Sequence, residues 1–242
     1  RSQRAFDKLC VWAEQLERAS PGAFSPELLA YAKEILETWS PHTTSLTMQC
    51  YEPERVASVP WLPMIGGVTL NGFARQTVWQ VAEQLALLPP LKHIGLDGLP
   101  IRQKDFLDAI EDGLFDGVRS LEIRNCPLRT QTFEPLIERL AEREALADLE
   151  ELRFHNCNIK SKHLEVLCES SLPERLRVLG LSNNTSLKTA GAKVLLPSLP
   201  KFAKLERLLL EDTGLNNAAA KLIASATLPQ TLTHIGLGGN KL

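Results

Sequence analysis

The chain has 242 residues, 44% of them hydrophobic, and a formal net charge of −2 from 27 Lys+Arg against 29 Asp+Glu. That length and apolar content suffice for a large core, and the near-balance of charge excludes the basic excess of a dedicated nucleic-acid surface, so no nucleic-acid partner is expected. No apolar run approaches ~18 residues, so no membrane span is expected, and no charged-then-apolar signal segment opens the chain.

Residues 1–42 predict a helical hairpin. Phe6, Leu9, Cys10, Ala13 and Leu16 form one apolar stripe at helical spacing. Ser20-Pro21-Gly22 makes the turn. Ser25 then has the chemistry of an N-cap, Pro26 of a first helical position, and Glu27 suits the helix dipole. The second helix should run Pro26–Trp39 with Leu28, Leu29, Ala32, Ile35, Leu36 and Trp39 inside. Such a hairpin would cap the open first strand of a repeat array, or link that array to a preceding domain. Residues 43–64 form an irregular segment around Pro53, Pro60 and Pro63. Within it, Thr43–Tyr51 could hold a degenerate strand with Leu46 and Met48 inward. Of the four tryptophans, most are expected in the core, with Trp61 in the proline-flanked loop as the candidate for exposure.

From residue 65 to 242 one frame returns seven times: L-x-x-L-x-L-x-x-N/C-x-L. Its starts are Ile65, Leu91, Val118, Leu149, Leu176, Leu205 and Leu232, separated by 26, 27, 31, 27, 29 and 27 residues. In Leu176-Arg-Val-Leu179-Gly-Leu181 the fourth and sixth places alternate inward with period 2, which predicts a short strand. The ninth place holds Cys126, Cys157, Asn184, Thr213 and Asn240. A small polar residue there can satisfy backbone groups of the neighbouring turn, so these five are expected to form a structural ladder. Phe73 and Leu99 break the pattern, which predicts irregular or more hydrophobic turns.

Helical periods come after the strands at Gln76–Leu88, Ser161–Cys168, Ala190–Leu199 and Asn217–Ala226. Leu88-Pro89, Leu172-Pro173, Leu199-Pro200 and Leu228-Pro229 are expected to stop them, because the residue before proline is driven from the α region. The spacing of 31 after Val118 is assigned to a longer return that includes Glu138–Ala147.

One such unit cannot bury its apolar face, whereas stacked units can. The frame and its long spacing resemble the ribonuclease-inhibitor-like class of leucine-rich repeats, which includes the sensing domains of NOD-like immune receptors. The resemblance implies an α/β leucine-rich-repeat solenoid: a right-handed βα horseshoe with a parallel concave sheet, convex helices and, here, an N-terminal helical hairpin cap. It implies little about function, since members bind unrelated ligands on one scaffold. The chain begins at Arg1 and halts at Asn240-Lys241-Leu242 in mid-repeat, before any helix, so a fragment of a longer protein is expected.

Outward places three, five and seven should line the concave face. They read Gly67/Thr69/Asn71, His93/Gly95/Asp97, Ser120/Glu122/Arg124, Glu151/Arg153/His155, Val178/Gly180/Ser182, Arg207/Leu209/Glu211 and His234/Gly236/Gly238. Equal places should be neighbours at ~4.8 Å, pairing Asp97 with Arg124 and Glu122 with Arg153 as cross-strand ion pairs. The competing functional reading makes His93, Asp97, Glu122, Arg124, Glu151, Arg153, His155, Arg207 and Glu211 a partner-binding surface. In that reading Gly95, Gly180 and Gly236 admit a close backbone approach. No aromatic residue occupies these places, although binding hot spots favour Trp, Tyr and Arg.

Catalytic motifs are absent: there is no Walker loop, G-x-S-x-G, H-E-x-x-H or paired C-x-x-C. His155-Asn156-Cys157 is the most suggestive cluster, but its side chains should diverge, one to the face and one into the turn. His163 and Cys168 lie five apart on a helix and do not share a face. The five cysteines are Cys10, Cys50, Cys126, Cys157 and Cys168. An odd number without framework spacing points to a reducing cytoplasm, and the acceptor pattern at Asn183 and Asn184 reads as coincidence. The expectation is therefore a non-catalytic protein-interaction or ligand-sensing domain without cofactor or metal. Its partner would be another protein or another domain of its own chain. Alternatives are an autoregulatory sensor of the NOD-like receptor type and a GTPase-activating repeat module.

Overall fold

The computed structural model of the chain describes residues 3–39, 45–49, 65–71, 90–99 and 103–242. Among them eight parallel strands form one sheet in chain order: β1 Ser45–Gln49, β2 Gly67–Asn71, β3 His93–Asp97, β4 Ser120–Arg124, β5 Glu151–His155, β6 Val178–Gly180, β7 Arg207–Leu209 and β8 His234–Gly236. Seven of them begin two residues after a repeat start. The candidate degenerate segment supplies the eighth, β1, whose Leu46 and Met48 pair in register with Val68 and Leu70.

The strands form there because alternate residues have somewhere apolar to go. Val68, Leu70, Ile94, Leu96, Leu121, Ile123, Leu152, Phe154 and Leu179 are all buried in one continuous core. A one-residue slip would turn every one of them outward, so the register is fixed by burial. Backbone groups beyond the strands also pair coil to coil. Lys92, Arg119, Glu150, Arg177, Glu206 and Thr233 each donate their N–H to the carbonyl at the same place in the preceding coil.

Two helices precede the sheet in sequence, α1 Gln3–Ala19 and α2 Pro26–Glu37, and five alternate with its strands and pack on one another in order: α3 Gln103–Glu111, α4 Thr130–Glu142, α5 Ser161–Glu169, α6 Lys188–Ser198 and α7 Asn217–Ser225. Helix α4 buries Phe133, Leu136, Ile137 and Leu140, one stripe at i, i+3, i+4 and i+7. Phe133 packs its ring 5.2 Å from that of Phe154, locking helix to strand. The next helix, α5, buries His163 beside Leu164, Leu167 and Cys168. His163 stacks on Phe133 at 4.8 Å and accepts from the Lys160 N–H through Nδ1, so its Nε2 carries the proton toward Thr130 Oγ1 at 3.1 Å. Burial pushes the His163 pKa down, as does the nearby Lys160 charge. A parallel sheet with helices stacked along one face is the architecture of a repeat solenoid.

Several expectations change. Glu138–Glu142 is not return loop but the end of α4, and only Glu144–Leu146 forms a separate 3-10 turn; the extra residues lengthen the helix. Leu199 keeps α-helical angles (φ −54°, ψ −33°) and starts a 3-10 turn with Pro200, so proline redirects the chain there without extending its predecessor. In α1, Phe6, Cys10 and Ala13 are buried, but Trp12 is 55% exposed and not core. In α2, Ser25 caps Leu28 N as expected, yet only Leu36 is buried. Leu29, Ala32 and Trp39 are half-buried and pack against the core. Leu28 and Ile35 instead face solvent with Tyr31. The buried stripe is the narrower i, i+3, i+7 row from Leu29, because one helix face contacts the core and the residues about 100° round the axis do not. The expected helix at Gln76–Leu88, with Phe73, Cys50, Trp61, Trp79 and the proline segment, lies outside the described residues.

Candidate functional site

The open face of the sheet, opposite the helices, carries the outward places. The registers are those the frame demands: Asp97 aligns with Arg124, Glu122 with Arg153, and Arg207 with His234. The close ion pairs, however, run along the strands. Arg124 Nε lies 2.7 Å from Glu122 Oε1, and Arg153 Nη1 lies 2.6 Å from Glu151 Oε2. Asp97 accepts from the Asn125 side chain at 2.7 Å. This corrects the expectation of strand-to-strand pairs. The i and i+2 places of one strand are about 6.6 Å apart, against about 4.8 Å across strands, but the long Arg and Glu side chains span that gap.

At the centre sits a polar network whose hub, Ser120, is not among the candidate contact residues. Ser120 Oγ donates to Glu151 Oε2 at 3.1 Å and accepts from Arg153 Nη1 at 3.3 Å, and His93 Nδ1 lies 2.9 Å away. With its one hydroxyl proton on Glu151, Ser120 takes the proton of His93 Nδ1. The arrangement holds Ser, His and Glu together, in a different hydrogen-bond order from a Ser-His-Asp relay. Imidazole does not take the serine proton, and Glu151 Oε2 is shared with Arg153. His93 and Ser120 are both 0% exposed. The signal in sequence was the run of third places, His93, Ser120 and Glu151, which the register makes neighbours.

The flanking glycines are filled from within. A Cβ on Gly95 would lie 2.6 Å from Thr69 Oγ1, one on Gly180 would lie 2.8 Å from Arg153 Cγ, and one on Gly236 would collide with Glu211 Oε1. Each glycine lets the preceding coil's side chain lie flat over it, so the space expected for a partner's backbone is already occupied. Among the described residues the face is most open toward its C-terminal end. Arg207 and His234 are exposed, Leu209 is half-exposed, and Glu211 accepts from Ser182 Oγ at 2.5 Å. His155 is half-buried, with Nε2 2.8 Å from Asn183 Nδ2.

The edge of this face is a turn ladder. Asn184 is the fullest rung. Its Oδ1 accepts from Cys157 N and Ile159 N, both at 2.9 Å, and its Nδ2 donates to Phe154 O and Leu181 O, both at 2.7 Å. Asn240 does the same for Thr213 N, Leu215 N, Leu210 O and Leu237 O. Thr213 Oγ1 donates to Leu210 O at 2.7 Å, and Cys157 Sγ to Ile123 O at 3.1 Å. Cys126 Sγ lies 2.9 Å from Arg124 O. Leu99 has no polar group to offer, yet Gly98 N still donates to Arg124 O, so that turn stays regular.

The preceding place, eight, was not singled out by sequence reasoning. Gly98, Asn125, Asn156, Asn183, Asp212 and Gly239 all adopt positive φ there, between 51° and 69°. Glycine, Asn and Asp are the residues that tolerate this conformation. Recurrence of those three types before the ninth place was the available signal.

The thiols in the ladder are held protonated by burial. Burial pushes Cys157 up to about 12 and Cys126 up to about 11, whereas a nucleophilic cysteine needs a depressed value. The same shifts give stability a pH dependence of definite sign. Unfolded thiols ionise near 9 and the folded ones do not, so the folded state holds more protons above that pH. Their contribution is intact below about pH 9 and is lost as pH rises toward about 11 to 12. Melting temperature should fall more steeply between about pH 8.5 and 11 in the wild type than in the Cys126→Ser/Cys157→Ser variant. Equal slopes would refute this. His163 and Cys168 are both buried in α5, and among the described residues no group of His, Cys, Asp and Glu is arranged to hold a metal.

Fold and face together define a β/α repeat solenoid whose open sheet face carries an internal polar network across β3–β5. No family model matches the chain, and no curated protein matches it in sequence. Solved structures share its architecture: 52 chains match. A chain from the crystal structure of the Rad7 and Elc1 complex of yeast matches at 15% identity with a TM-score of 0.50, over 98% of this chain and 69% of that one. A protein of Bacteroides fragilis matches at 14% identity and a TM-score of 0.45, over 78% of this chain and 70% of its own. At such identity the likeness is one of fold. No helix among the described residues is long and apolar enough to cross a membrane.

Proposed function

We propose that this chain is a non-catalytic protein-interaction domain that docks its partner on the open face of β6–β8. The carrying observation is the contrast along that face. In β3–β5 His93, Ser120, Glu122 and Arg153 are buried and bonded within the face, whereas Arg207 and His234 stand exposed side by side with Leu209 and Glu211 next to them. Arg207 makes no ion pair among the described residues. An exposed arginine beside a half-exposed apolar residue has the composition of a binding hot spot. The assembly of the Rad7 and Elc1 complex supports the use of this scaffold for holding proteins.

The finer architecture belongs to the same proposal. The 26–31 residue spacing and the helix between strands favour a right-handed horseshoe of the ribonuclease-inhibitor-like class, with α1–α2 as its N-terminal cap. Four buried free cysteines favour a cytoplasmic setting. The partner is another protein, or another domain of the same chain if the domain is a sensor of the NOD-like receptor type. A GTPase-activating module would present an exposed arginine to bound nucleotide, and Arg207 is the residue that would do so.

The test is charge reversal. Partners captured by the wild type are identified, purified and titrated against Arg207→Glu/His234→Glu. The dissociation constant should rise at least about tenfold, about 1.4 kcal/mol, with the melting temperature unchanged because both residues are exposed. Unchanged affinity would remove the site. GTP hydrolysis accelerated by the wild type but not by Arg207→Ala would replace binding with GTPase activation.

A further inference from the structure

A second surface, independent of the open face, lies on the helical side of the last two complete coils. Helices α6 and α7 pack against each other and leave a half-open groove of about 320 Å³ between them. It is lined by the more deeply set Leu196, Leu222 and Ala226 and by the exposed Pro197, Pro200 and Lys193. The volume falls at the lower end of the range for ligand pockets, ~300–1,000 Å³. Its apolar groups are recessed: Leu196 is buried and Leu222 and Ala226 are half-buried.

The charge around this groove is of one sign. Residues 185–205 and 213–233 contain Lys188, Lys193, Lys201, Lys204 and Lys221 and no carboxylate. The three helices before them differ: α3 carries Asp105, Asp108 and Glu111, α4 Glu134, Glu138 and Glu142, and α5 Glu165 and Glu169. The carboxylates of the last coils, Glu206, Glu211 and Asp212, all lie in or beside strand β7. Helix geometry turns two of the lysines to the groove. Lys193 lines it directly, and Lys221 stands one turn from Ser225, another lining residue, whose Oγ bonds the Lys221 carbonyl at 3.1 Å. Both lysines are exposed, so their charge is available to a partner.

We propose that the α6–α7 groove binds an acidic amphipathic peptide segment of a partner protein. The segment's protruding apolar side chains would meet the recessed apolar groups, and its flanking Asp and Glu would meet Lys193 and Lys221. Recessed apolar groups and exposed lysines together select this occupant. A membrane surface favours apolar groups that protrude, whereas these are sunk between two helices. Single-stranded nucleic acid favours stacking aromatics, and none lines the groove.

The test pans a displayed library of random peptides about 12 residues long against the 242-residue chain and measures the recovered peptides by fluorescence anisotropy. Recovered sequences should place Asp or Glu beside one or two large apolar residues. Lys193→Glu/Lys221→Glu should weaken their binding at least about tenfold. Ser225→Trp, which blocks the groove mouth without changing charge, should do likewise. All three sites are exposed, so wild-type circular dichroism and melting are expected. Arg207→Glu/His234→Glu should bind these peptides as the wild type does, which separates this surface from the open face. Recovered peptides without net negative charge, or peptides that bind both groove variants normally, would overturn the proposal. So would sedimentation with phosphatidylcholine vesicles containing about 20% phosphatidylserine that the lysine variant abolishes, if no acidic peptide is recovered.

Discussion

Asn184→Ala should destabilise the chain by about 4 kcal/mol, enough to consume much of the ~5–15 kcal/mol that holds a domain together. The Asn184 amide is 1% exposed and serves four backbone groups of two adjacent turns. Alanine leaves the N–H groups of Cys157 and Ile159 buried without an acceptor. Each orphaned buried donor costs about 1–3 kcal/mol, and the carbonyls of Phe154 and Leu181 lose their donor as well. Urea unfolding should show a lower midpoint at similar slope, because the surface exposed on unfolding hardly changes. A loss below about 1 kcal/mol would mean that water or a backbone shift replaces the rung, and the ladder would then not be a principal source of stability.

The second large effect concerns the network around Ser120. Arg153→Ala should cost about 3 kcal/mol, because it leaves the Glu151 carboxylate partly buried beside a serine hydroxyl, and breaking a buried pair is costlier than replacing it. Replacing both partners, Arg153→Met with Glu151→Met, should recover most of that loss, since a methionine stem can lie over Gly180 as the Arg153 stem does. A double-mutant cycle should give a coupling of about 2 kcal/mol. Strict additivity would show that the pair contributes independently and that the network is not a unit. Partner binding through Arg207 and His234 should survive in the double variant, which separates the stabilising part of the open face from its binding part.

The seven repeat strands were legible because period-2 burial and a fixed spacing both act locally, and β1 was legible only as a candidate because its frame is worn. Place eight went unread because the leucine frame scores it as a variable position, although Gly98, Asn125, Asn156, Asn183, Asp212 and Gly239 all come from the small set that tolerates positive φ. The α2 stripe was read too broadly. Leu28, Leu29, Ile35 and Leu36 are equally apolar, and only the placement of the core selects Leu29 and Leu36 over Leu28 and Ile35. The candidate site divided along the same line. Sequence could name the outward places and their register, but which carboxylate an arginine meets depends on side-chain direction above a parallel sheet, and that put Arg153 on Glu151 and Ser120.

The sequence by itself determined the repeat, its parallel register and the polar character of its turns, because each stems from the alternation or spacing of neighbouring residues and the cost of burying an unpaired backbone group. Only the tertiary structure decided which charges are spent and which remain. Stacking the coils laid Thr69, Arg153 and Glu211 over glycines of the next coil, sealed His93 and Ser120 from solvent, and left Arg207, His234 and the lysines of α6–α7 exposed. Those outcomes depend on what lies one coil away, about 27 residues along the chain, beyond the reach of local pattern.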